Sequence, residues 1–347
     1  MNKIKVGIAS YGMSGKVFHG PSLKVLDEYE VVGVFERTKN ISEELFPEAK
    51  ICRTFEELIE LEGIELIVVN TPDHLHYEMT LKALNAGKHV VVEKPFTRTE
   101  EEAVELIQLA KEKNLVLSVY QNRRYDGNYR TIKSILDQQL LGRMVECEIH
   151  YDRYRTFINE GSWKEEGDER VGVLFNLGSH LVDQVLQLFG KPKSITAKLA
   201  KIRDNSRVND YMNLRLDYEN MQLILKSSYL VRIPGPMYTM HGVKGSFIKY
   251  GIDPQEQQLI DGALPVGDNW GKEPEEYWGE LVTEINGLDY HGKLETKSGD
   301  YTDYYRELAL CLRGERENPV PAEQALETIK ILNAAVESYL KRKTVDL

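Results

Sequence analysis

The first apolar run of the chain is followed by a glycine-containing segment with the spacing of a dinucleotide-binding turn. After the run Ile4–Ala9 comes S-Y-G-M-S-G at positions 10–15, which fits the pattern G-x-G-x-x-G except that Ser10 holds the first glycine position. Gly12 would let the backbone approach a pyrophosphate, and Gly15 would let the next helix pack against the strand. An ordinary tight turn has the same spacing, so the motif gains weight from its place in the first β–α unit.

Four polar residues follow the second apolar run and bear on the kind of dinucleotide. Val31–Phe35 leads into E-R-T-K at positions 36–39. An acid at this place, here Glu36, normally accepts hydrogen bonds from the adenosine ribose hydroxyls and favours NAD. Arg37 and Thr38, with the lysine after them, favour NADP, because cations and a hydroxyl can hold a 2′-phosphate. A plain polar loop is the third interpretation, and the sequence leaves the choice open.

A lysine stands where a parallel sheet would place its ligand. Glu93, Lys94 and Pro95 directly follow the apolar run His89–Val92. In open α/β sheets, ligands bind beyond the carboxyl ends of the strands, so Lys94 is a candidate for contact with substrate and nicotinamide. A Lys–Pro bond also permits a cis peptide that would fix the direction of the ammonium group. An isolated lysine there would be read as a surface residue, but its Glu and Pro neighbours favour the functional interpretation.

These candidate residues are separated by elements that alternate between strand and helix up to residue 120. Consecutive apolar positions predict strands of a parallel sheet covered on both faces, and these runs are Ile4–Ala9, Val31–Phe35, Leu66–Val69, His89–Val92 and Leu115–Val119. Helix starts are predicted at Thr54, Asp73 and Thr99, and left-handed helix ends at Gly87 and Asn114. The pattern predicts a doubly wound Rossmann fold within an α/β protein.

Beyond residue 120 the pattern changes to that of an α+β domain. Helices are predicted at Asn128–Gln139, Ser179–Leu188 and Ala322–Lys341, and the segment Gly251–Gly299 is predicted to be irregular. Alternating residues predict an open, mainly antiparallel sheet, with strands at Val145–Tyr154, Ser194–Lys201, Tyr211–Tyr218, Gln222–Tyr229, Tyr238–Met240 and Phe247–Tyr250. An open sheet face favours a partner subunit, so a homodimer or homotetramer is expected.

Length and composition restrict the class of protein. With 347 residues the chain is divided here into two domains, a dinucleotide-binding domain at 1–120 and a substrate-binding and oligomerisation domain at 121–347, with the last helix able to pack back on the first. A formal net charge of −11 disfavours nucleic acid as a partner. Apolar runs are too short for a membrane span, the three cysteines are scattered, and the start lacks a signal-peptide pattern. A cytoplasmic location is therefore expected.

Five further motifs are distributed over nearly the whole chain. They are V-F-H-G-P at 17–21, T-P-D-H-L-H-Y-E at 71–78, A-G-K-H-V-V-V-E-K-P at 86–95, Q-N-R-R-Y-D at 121–126 and L-G-S-H-L-V-D-Q at 177–184. Together they resemble the glucose-fructose oxidoreductase/inositol dehydrogenase (Gfo/Idh/MocA) family. The later segment G-S-F-I-K-Y-G-I-D at 245–253 narrows the resemblance to the branch that holds NADP-dependent scyllo-inositol dehydrogenase.

The resemblance implies catalytic roles for two side chains. Lys94 corresponds to the family's E-K-P lysine, which bonds the reacting hydroxyl, and His180 corresponds to the histidine taken as the general acid/base. An imidazole with an ordinary pKa of about 6.5 suits proton transfer near neutrality, and an ammonium would stabilise a developing alkoxide. Family members usually carry an aspartate four residues before the histidine, whereas this chain has Asn176. An amide can orient His180 or bind a hydroxyl, but it lacks the charge that stabilises an imidazolium.

The motif positions also predict the residues around cofactor and substrate. The cofactor set is Ser10, Tyr11, Gly12, Met13, Ser14, Gly15, Glu36, Arg37, Thr38, Thr71, Pro72, His76, Glu93, Lys94, Gln121 and Arg123. The substrate set is Lys94, Tyr125, Tyr154, Asn176 and His180, with Asp126 and Asp183 as further hydrogen-bonding candidates. No metal is expected, because His74 and His76 have no third ligand at a recognised spacing.

The expected activity is hydride transfer between NAD(P) and a secondary alcohol or ketone of a polyol or sugar. The resemblance favours NADP, whereas Glu36 favours NAD. Two alternatives stay open: a cofactor-binding sensor that has the fold but little chemistry, and an NAD-dependent glycosidase that recycles its cofactor within each turnover.

Overall fold

The structure, a computed structural model, describes residues 2–347 and divides into two compact units. The first unit combines residues up to 126 with two later segments, 254–271 and 299–327. The second unit combines 127–253, 272–298 and 328–347. The units are therefore discontinuous in sequence, whereas the sequence-based division placed a single boundary after residue 120.

The first unit contains a six-stranded parallel sheet, as predicted. Its strands are β1 (Ile4–Ile8), β2 (Tyr29–Phe35), β3 (Lys50–Cys52), β4 (Leu66–Val69), β5 (His89–Val92) and β6 (Leu117–Val119). The order is β3-β2-β1-β4-β5-β6, so the Rossmann topology is confirmed. The strand β4 is buried at every position, because helices cover both faces of the sheet. The short β3 is an addition to the predicted set.

Four helices connect these strands, and two begin at the predicted caps. They are α1 (Gly20–Val25), α2 (Phe55–Ile59), α3 (His76–Asn85) and α4 (Glu100–Glu112). Thr54 accepts a bond from the Glu57 amide, and Thr99 forms a reciprocal capping box with Glu102. The left-handed ends at Gly87 and Asn114 are also present, with φ of 73° and 54°.

The prediction that Asp73 caps the N-terminus of a helix is wrong. A short 3₁₀ turn, Asp73–Leu75, precedes α3, and the carboxylate of Asp73 instead accepts a bond from Arg98 at 3.0 Å. The reason is tertiary, because a buried carboxylate is stabilised more by a cation than by the end of a one-turn helix.

The second unit contains a nine-stranded, mostly antiparallel sheet. Its strands are β7 (Met144–His150), β8 (Ser194–Ala200), β9 (Tyr211–Asp217), β10 (Gln222–Ser228), β11 (Tyr238–Gly242), β12 (Gly245–Lys249), β13 (Gly279–Ile285), β14 (Leu288–Leu294) and β15 (Val345–Asp346). Only β7 and β10 pair in parallel, so the predicted α+β class with a mainly antiparallel sheet is confirmed. Helices α5 (Gly127–Asp137) and α6 (Ser179–Phe189) also lie within this unit, close to their predicted bounds.

The segment Gly251–Gly299 is not the irregular excursion that the sequence suggested. It holds α7 (Gln255–Ile260) and the hairpin of β13 and β14. The hairpin turn is Asn286–Gly287, with φ of 54° and 81°, and Asn-Gly is the preferred pair for a two-residue turn of this kind. Charged and glycine residues around the turn hid the strand pattern, although the Asn-Gly pair was a usable signal.

Two helices complete the chain. α8 (Thr302–Leu312), which the sequence analysis did not predict, contributes buried tyrosines to the core of the first unit. α9 (Ala322–Lys341) has the predicted bounds, and its first residues belong to the first unit, where Glu323 pairs with Lys111 at 2.8 Å. Within residues 2–347 no helix is both long enough and apolar enough to cross a membrane.

Candidate active site

The carboxyl ends of β1 and β4 form the topological switch point of the first unit. From this pair the sheet continues through β2 and β3 on one side and through β5 and β6 on the other. Connections leave the two central strands in opposite directions, so a crevice opens at their carboxyl ends, where ligands of such sheets bind. The predicted turn at 10–15 follows β1, and Asn70 and Thr71 follow β4.

The two glycines of the turn have different roles. A Cβ at Gly15 would lie 2.3 Å from the Ser10 carbonyl oxygen, so only glycine allows this close approach. The nearest atom to a Cβ at Gly12 is Ser10 Oγ at 3.8 Å, which leaves Gly12 with room for a ligand to approach its backbone. Asn70 closes the turn from the neighbouring strand by donating to the Ser10 carbonyl at 2.8 Å.

A π-helical turn, Gly15–His19, connects this segment to α1. The sequence indicated only that a helix follows the turn. A π turn adds a residue to the usual helical period and is frequent at functional sites. It places both Ser14 and His19 within hydrogen-bond distance of Glu93.

The side chains of Tyr11 and Met13 lie in contrasting environments. Tyr11 is buried in the core against Phe46, and burial, with the nearby carboxylates of Glu36 and Glu44, raises its pKa to about 12. The phenol of Tyr11 therefore packs in the core, and its backbone is the part suited to contact a cofactor. Met13 is 57% exposed and is the apolar residue at the tip of the turn.

Two buried oxygens at the end of β4 have no hydrogen-bond partner within residues 2–347. They are Asn70 Oδ1 and Thr71 Oγ1. Buried polar atoms are normally paired, so unpaired ones beside a turn of this type indicate a ligand that completes them. Pro72 follows directly and is half-buried.

His76 is a structural clamp rather than an open ligand. Its Nδ1 lies 2.8 Å from the Pro95 carbonyl oxygen, and its Nε2 lies 3.0 Å from the Thr71 carbonyl oxygen. The buried ring thus joins the turns that follow β4 and β5. Each ring nitrogen thus lies within hydrogen-bond distance of a backbone carbonyl oxygen, which suits His76 to positioning these two turns.

Glu36 is also engaged by its own chain. One carboxylate oxygen accepts bonds from the Ser42 amide at 2.8 Å and the Ser42 hydroxyl at 2.6 Å, and the other accepts from the Ile41 amide at 2.9 Å. Arg37 and Thr38 are exposed on the same loop. The acid predicted to bind a ribose is therefore turned into the loop, while the cation and the hydroxyl face solvent.

An arginine that the sequence analysis did not consider braces this loop. Arg53 donates to the carbonyl oxygens of Glu36 and Lys39, both at 2.8 Å, and to Asn40 Oδ1 at 2.6 Å. Three bonds from one guanidinium fix the path of the backbone that carries Arg37 and Thr38.

Glu93 lies at the centre of the polar contacts at the end of β5. One of its oxygens accepts from the Ser14 hydroxyl and faces His19 Nε2 at 3.1 Å. The other accepts from the Lys94 amide at 3.0 Å. Burial alone would raise the pKa of Glu93, but the hydrogen bond and electrostatic influence of His19, the Ser14 bond and the nearby Lys94 lower it to about 2. The carboxylate is therefore ionised and joins the glycine turn to the lysine.

Lys94 is half-buried and precedes a cis Lys94–Pro95 peptide bond, as the sequence analysis anticipated. Its backbone is fixed on one side by Glu93 and on the other by the Pro95 carbonyl contact to His76. The residue thus occupies the carboxyl end of β5, a ligand-binding edge of the sheet.

The residues after β6 are more deeply built into the first unit than expected. Arg123 is buried and pairs with Asp126 at 3.4 Å and with Glu256 of α7. Tyr125 donates to Glu307 at 2.7 Å, so its phenol is used by α8. The buried Oε1 of Gln121 has no partner within the described part of the chain, which makes Gln121 the best ligand candidate of this group.

The candidate residues of the second unit also follow a π-helical turn. This turn, Leu174–Gly178, contains Asn176 and leads directly into α6, where His180 is buried in the first turn. Asn176 Nδ2 donates to the Tyr229 hydroxyl at 3.4 Å.

Asn209 fixes the start of this π turn. Its Oδ1 accepts from the Leu174 amide at 2.9 Å, and its Nδ2 donates to the carbonyl oxygens of Glu169 and Val171. A Cβ at Gly172, whose φ is 88°, would lie 2.2 Å from the Asn209 carbonyl oxygen. Neither residue was predicted from the sequence, because their roles depend on a contact between segments that are distant in sequence.

The remaining candidates of the second unit differ in exposure. Asp183 is buried in α6, whereas Tyr154 is 52% exposed and lies beneath the Arg232 guanidinium. Tyr229 is buried under Arg203, whose guanidinium carbon is 5.0 Å from the ring centroid. Tyr229, which accepts the hydrogen bond from Asn176, was not among the predicted site residues.

The donor set of the first unit fits a dinucleotide cofactor. The open backbone at Gly12, the unpartnered oxygens after β4 and the exposed Arg37 and Thr38 lie at the places where such folds receive a pyrophosphate, a ribose and an adenosine phosphate. Gly15 further excludes any side chain from the floor of the turn.

Replacing Glu93 with glutamine tests its charge through the pH dependence of stability. The folded-state pKa of Glu93 is lowered from its ordinary 4.5 to about 2, so this group stabilises the fold above about pH 4.5, and the contribution is lost as pH falls towards 2. Urea unfolding should show a deficit of about 3 kcal/mol for Glu93→Gln at neutral pH, shrinking on acidification. The exposed Glu62→Gln variant is the control. A deficit that does not change with pH would contradict the assignment.

Comparison with known proteins identifies the family. The model of the NAD-binding Rossmann domain of the GFO/IDH/MocA oxidoreductases matches residues 4–121, and that of their C-terminal α/β domain matches residues 133–347. Scyllo-inositol 2-dehydrogenase (NADP(+)) IolW of Bacillus subtilis is 42% identical over 349 residues, which cover 100% of this chain and 97% of that protein.

Solved structures agree with these sequence matches. An oxidoreductase of Bacteroides fragilis superposes with a TM-score of 0.92 at 44% identity, covering 100% of both chains. The oxidoreductase YvaA of Bacillus subtilis superposes with a TM-score of 0.95 at 41% identity, covering 100% of this chain and 99% of that one. The chain therefore belongs to the GFO/IDH/MocA family of oxidoreductases, with an NAD(P)-binding Rossmann domain.

Proposed function

We propose that this protein is a dehydrogenase that transfers a hydride between NADP and a secondary alcohol or ketone of a polyol or sugar. The observation that carries the proposal is the bond between Ser14 and Glu93, because it joins the dinucleotide turn to the residue beside Lys94. The dinucleotide turn and the backbone of the candidate substrate-binding lysine are thereby held by one carboxylate at the ligand edge of the sheet. The scyllo-inositol dehydrogenase activity of a 42% identical relative supports the substrate class.

The proposed chemistry divides between two side chains. Bound nicotinamide supplies the site that accepts or donates the hydride. His180 takes the proton of the substrate hydroxyl during oxidation and returns it during reduction. The Lys94 ammonium donates a hydrogen bond to the same oxygen and stabilises the negative charge that develops there. The joint action of Lys94 and His180 rests on the family resemblance.

Asn176 affects how readily His180 accepts that proton. An amide can orient the imidazole or the substrate, but it stabilises an imidazolium less than a carboxylate would. The bond to Tyr229 fixes the amide, so Asn176 is suited to orient a hydroxyl of the substrate. We propose this role for it.

The conformation of Glu36 supports NADP over NAD. The carboxylate already accepts three bonds from Ile41 and Ser42, so it is a poor partner for ribose hydroxyls. A carboxylate turned into the loop also reduces repulsion against a 2′-phosphate. Arg37 and Thr38, on a loop braced by Arg53, offer a charged and a neutral donor for that phosphate.

The overall proposal is tested with a panel of inositols and aldoses and both nicotinamide cofactors. Reduced cofactor, followed by its near-ultraviolet absorbance, should form with at least one polyol or sugar. Measurable cofactor binding without any absorbance change would instead indicate a sensor, and glycoside cleavage without net reduced cofactor would indicate a glycosidase.

Lys94→Ala should lower kcat by about 10²–10³-fold while the dissociation constant for NADP changes little. The loss follows from removing the donor to the developing alkoxide. Steady-state kinetics and fluorescence titration of the cofactor measure the two quantities, with the exposed Lys113→Ala as the matched control. Turnover like that of the unmodified enzyme would remove Lys94 from the mechanism.

Arg37→Ala should raise KM for NADP roughly tenfold or more and leave KM for NAD nearly unchanged, because a charge-assisted bond to the 2′-phosphate is lost. Initial rates with each cofactor at saturating substrate give both values. Lys5→Ala removes an exposed cation elsewhere on the first unit and serves as the control. Equal changes for both cofactors would argue against recognition of the 2′-phosphate by Arg37.

A further inference from the structure

His19 is a buried imidazole whose two ring nitrogens both have partners in the first unit. Nδ1 lies 2.6 Å from the Tyr305 hydroxyl, and Nε2 lies 3.1 Å from Glu93 Oε1. The ring is fully inaccessible to solvent, whereas Glu93 is 12% exposed. Nε2 must carry a proton to donate to the carboxylate, and the hydroxyl at Nδ1 can act as donor or acceptor. The orientation of the ring is therefore fixed from both ends.

The ring is also enclosed by aromatic side chains. Its centroid lies 4.3 Å from that of Tyr120 and 6.1 Å from that of Tyr305. Tyr305 is itself held by Tyr29, whose hydroxyl donates to the Tyr305 carbonyl at 2.6 Å. Packing of this kind leaves His19 little rotational freedom, so its contact with Glu93 is pre-organised.

The carboxylate that His19 holds has two further contacts of functional interest. Its Oε1 also accepts from Ser14 in the dinucleotide turn, and its Oε2 accepts from the amide of Lys94. A shift of the Glu93 side chain would therefore move both the turn and the lysine backbone. His19 is the side chain that fixes Glu93 from the core side.

We propose that His19 is a positioning residue for the reaction: through Nε2 it holds Glu93 in the geometry that aligns Lys94 with the dinucleotide turn, and Tyr305 holds His19. This inference rests on the proposed function, because it takes Lys94 as the group that contacts substrate. Nothing in the chemistry requires His19 to touch substrate or cofactor.

Two amide substitutions separate the two contacts of the ring. In His19→Gln the amide reaches the position of Nε2 and can still donate to Glu93, whereas in His19→Asn it reaches only the position of Nδ1. His19→Asn should lower kcat by about ten- to a hundredfold, since small misplacements of a reacting group have effects of this size. His19→Gln should recover most of that loss. The dissociation constant for NADP should change less than kcat in both variants, because the dinucleotide turn is also held by the Asn70 bond to the Ser10 carbonyl oxygen.

The pH dependence of kcat distinguishes a positioning role from a merely structural one, because a merely structural role would leave that dependence unchanged. Burial raises the pKa of Glu93, and the first influence that lowers it is the His19 contact, so His19→Asn should raise it and shift the acidic limb of the profile towards neutrality. His19→Gln should keep the limb near its normal position. The groups that face or electrostatically influence Glu93 are Ser14, His19, Lys94, Tyr120, Tyr304 and Tyr305.

Unchanged kcat and pH profile in His19→Asn would overturn the inference, as would equal losses in the Asn and Gln variants. If His19→Asn does not fold, Tyr305→Phe is used instead. It removes the Nδ1 contact, which His19→Gln also lacks, so it should lower kcat only by the small residual factor expected for His19→Gln. A loss in Tyr305→Phe that clearly exceeds the loss in His19→Gln would then overturn the inference, because it would show that the Nε2 contact with Glu93 is not the important one. Three outcomes are distinguishable. Absence of dehydrogenase turnover in the unmodified protein refutes the proposed function, and full activity in Lys94→Ala removes Lys94 from the mechanism and the inference about His19 with it. An inactive Lys94→Ala beside a fully active His19→Asn refutes only the role of His19.

Discussion

The ionised and largely buried carboxylate of Glu93, at the end of β5, is the constraint on which the candidate site residues of the first unit depend. Glu93 loses hydration on folding, and such a loss is tolerated only when several donors replace water. Ser14, His19 and the Lys94 amide provide these donors. They come from the dinucleotide turn, the π turn and the neighbouring backbone, so the charge can be buried only when these segments have their native arrangement.

The other polar residues of the candidate site also differ in whether they contact the backbone or are available to a ligand. The side chains of His76 and Asn209 contact backbone atoms, and each fixes a turn that carries a candidate functional residue. Glu36 likewise accepts its hydrogen bonds from its own loop, which leaves the exposed cations Arg37 and Lys39 available to a ligand. Two residues predicted as cofactor ligands, His76 and Glu36, thus make contacts that hold nearby backbone in place.

How much the sequence could predict follows from the range of the interactions. Consecutive apolar residues located β1, β4 and β5, and Thr54 and Thr99 located helix starts, because these signals are local. The three-residue β3 and the two π turns have no local signature, since they arise from packing against neighbouring strands. The positioning roles of His19 and Asn209 were missed for the same reason. The pairing of Lys94 with His180 came from family resemblance and stays a prediction.

The discontinuity of the first unit has a consequence for biosynthesis. Its core includes Tyr304 and Tyr305, and the contact between His19 and Tyr305 joins residues 286 positions apart. Domains generally fold as units during synthesis, beginning from the N-terminus. Here the parallel sheet is translated early, yet the aromatic lining behind the dinucleotide turn is translated only after strands β7–β14 of the second unit. Part of the apolar surface of the nascent Rossmann sheet therefore stays exposed until its last helices are synthesised. Chaperone protection would be most valuable during this period.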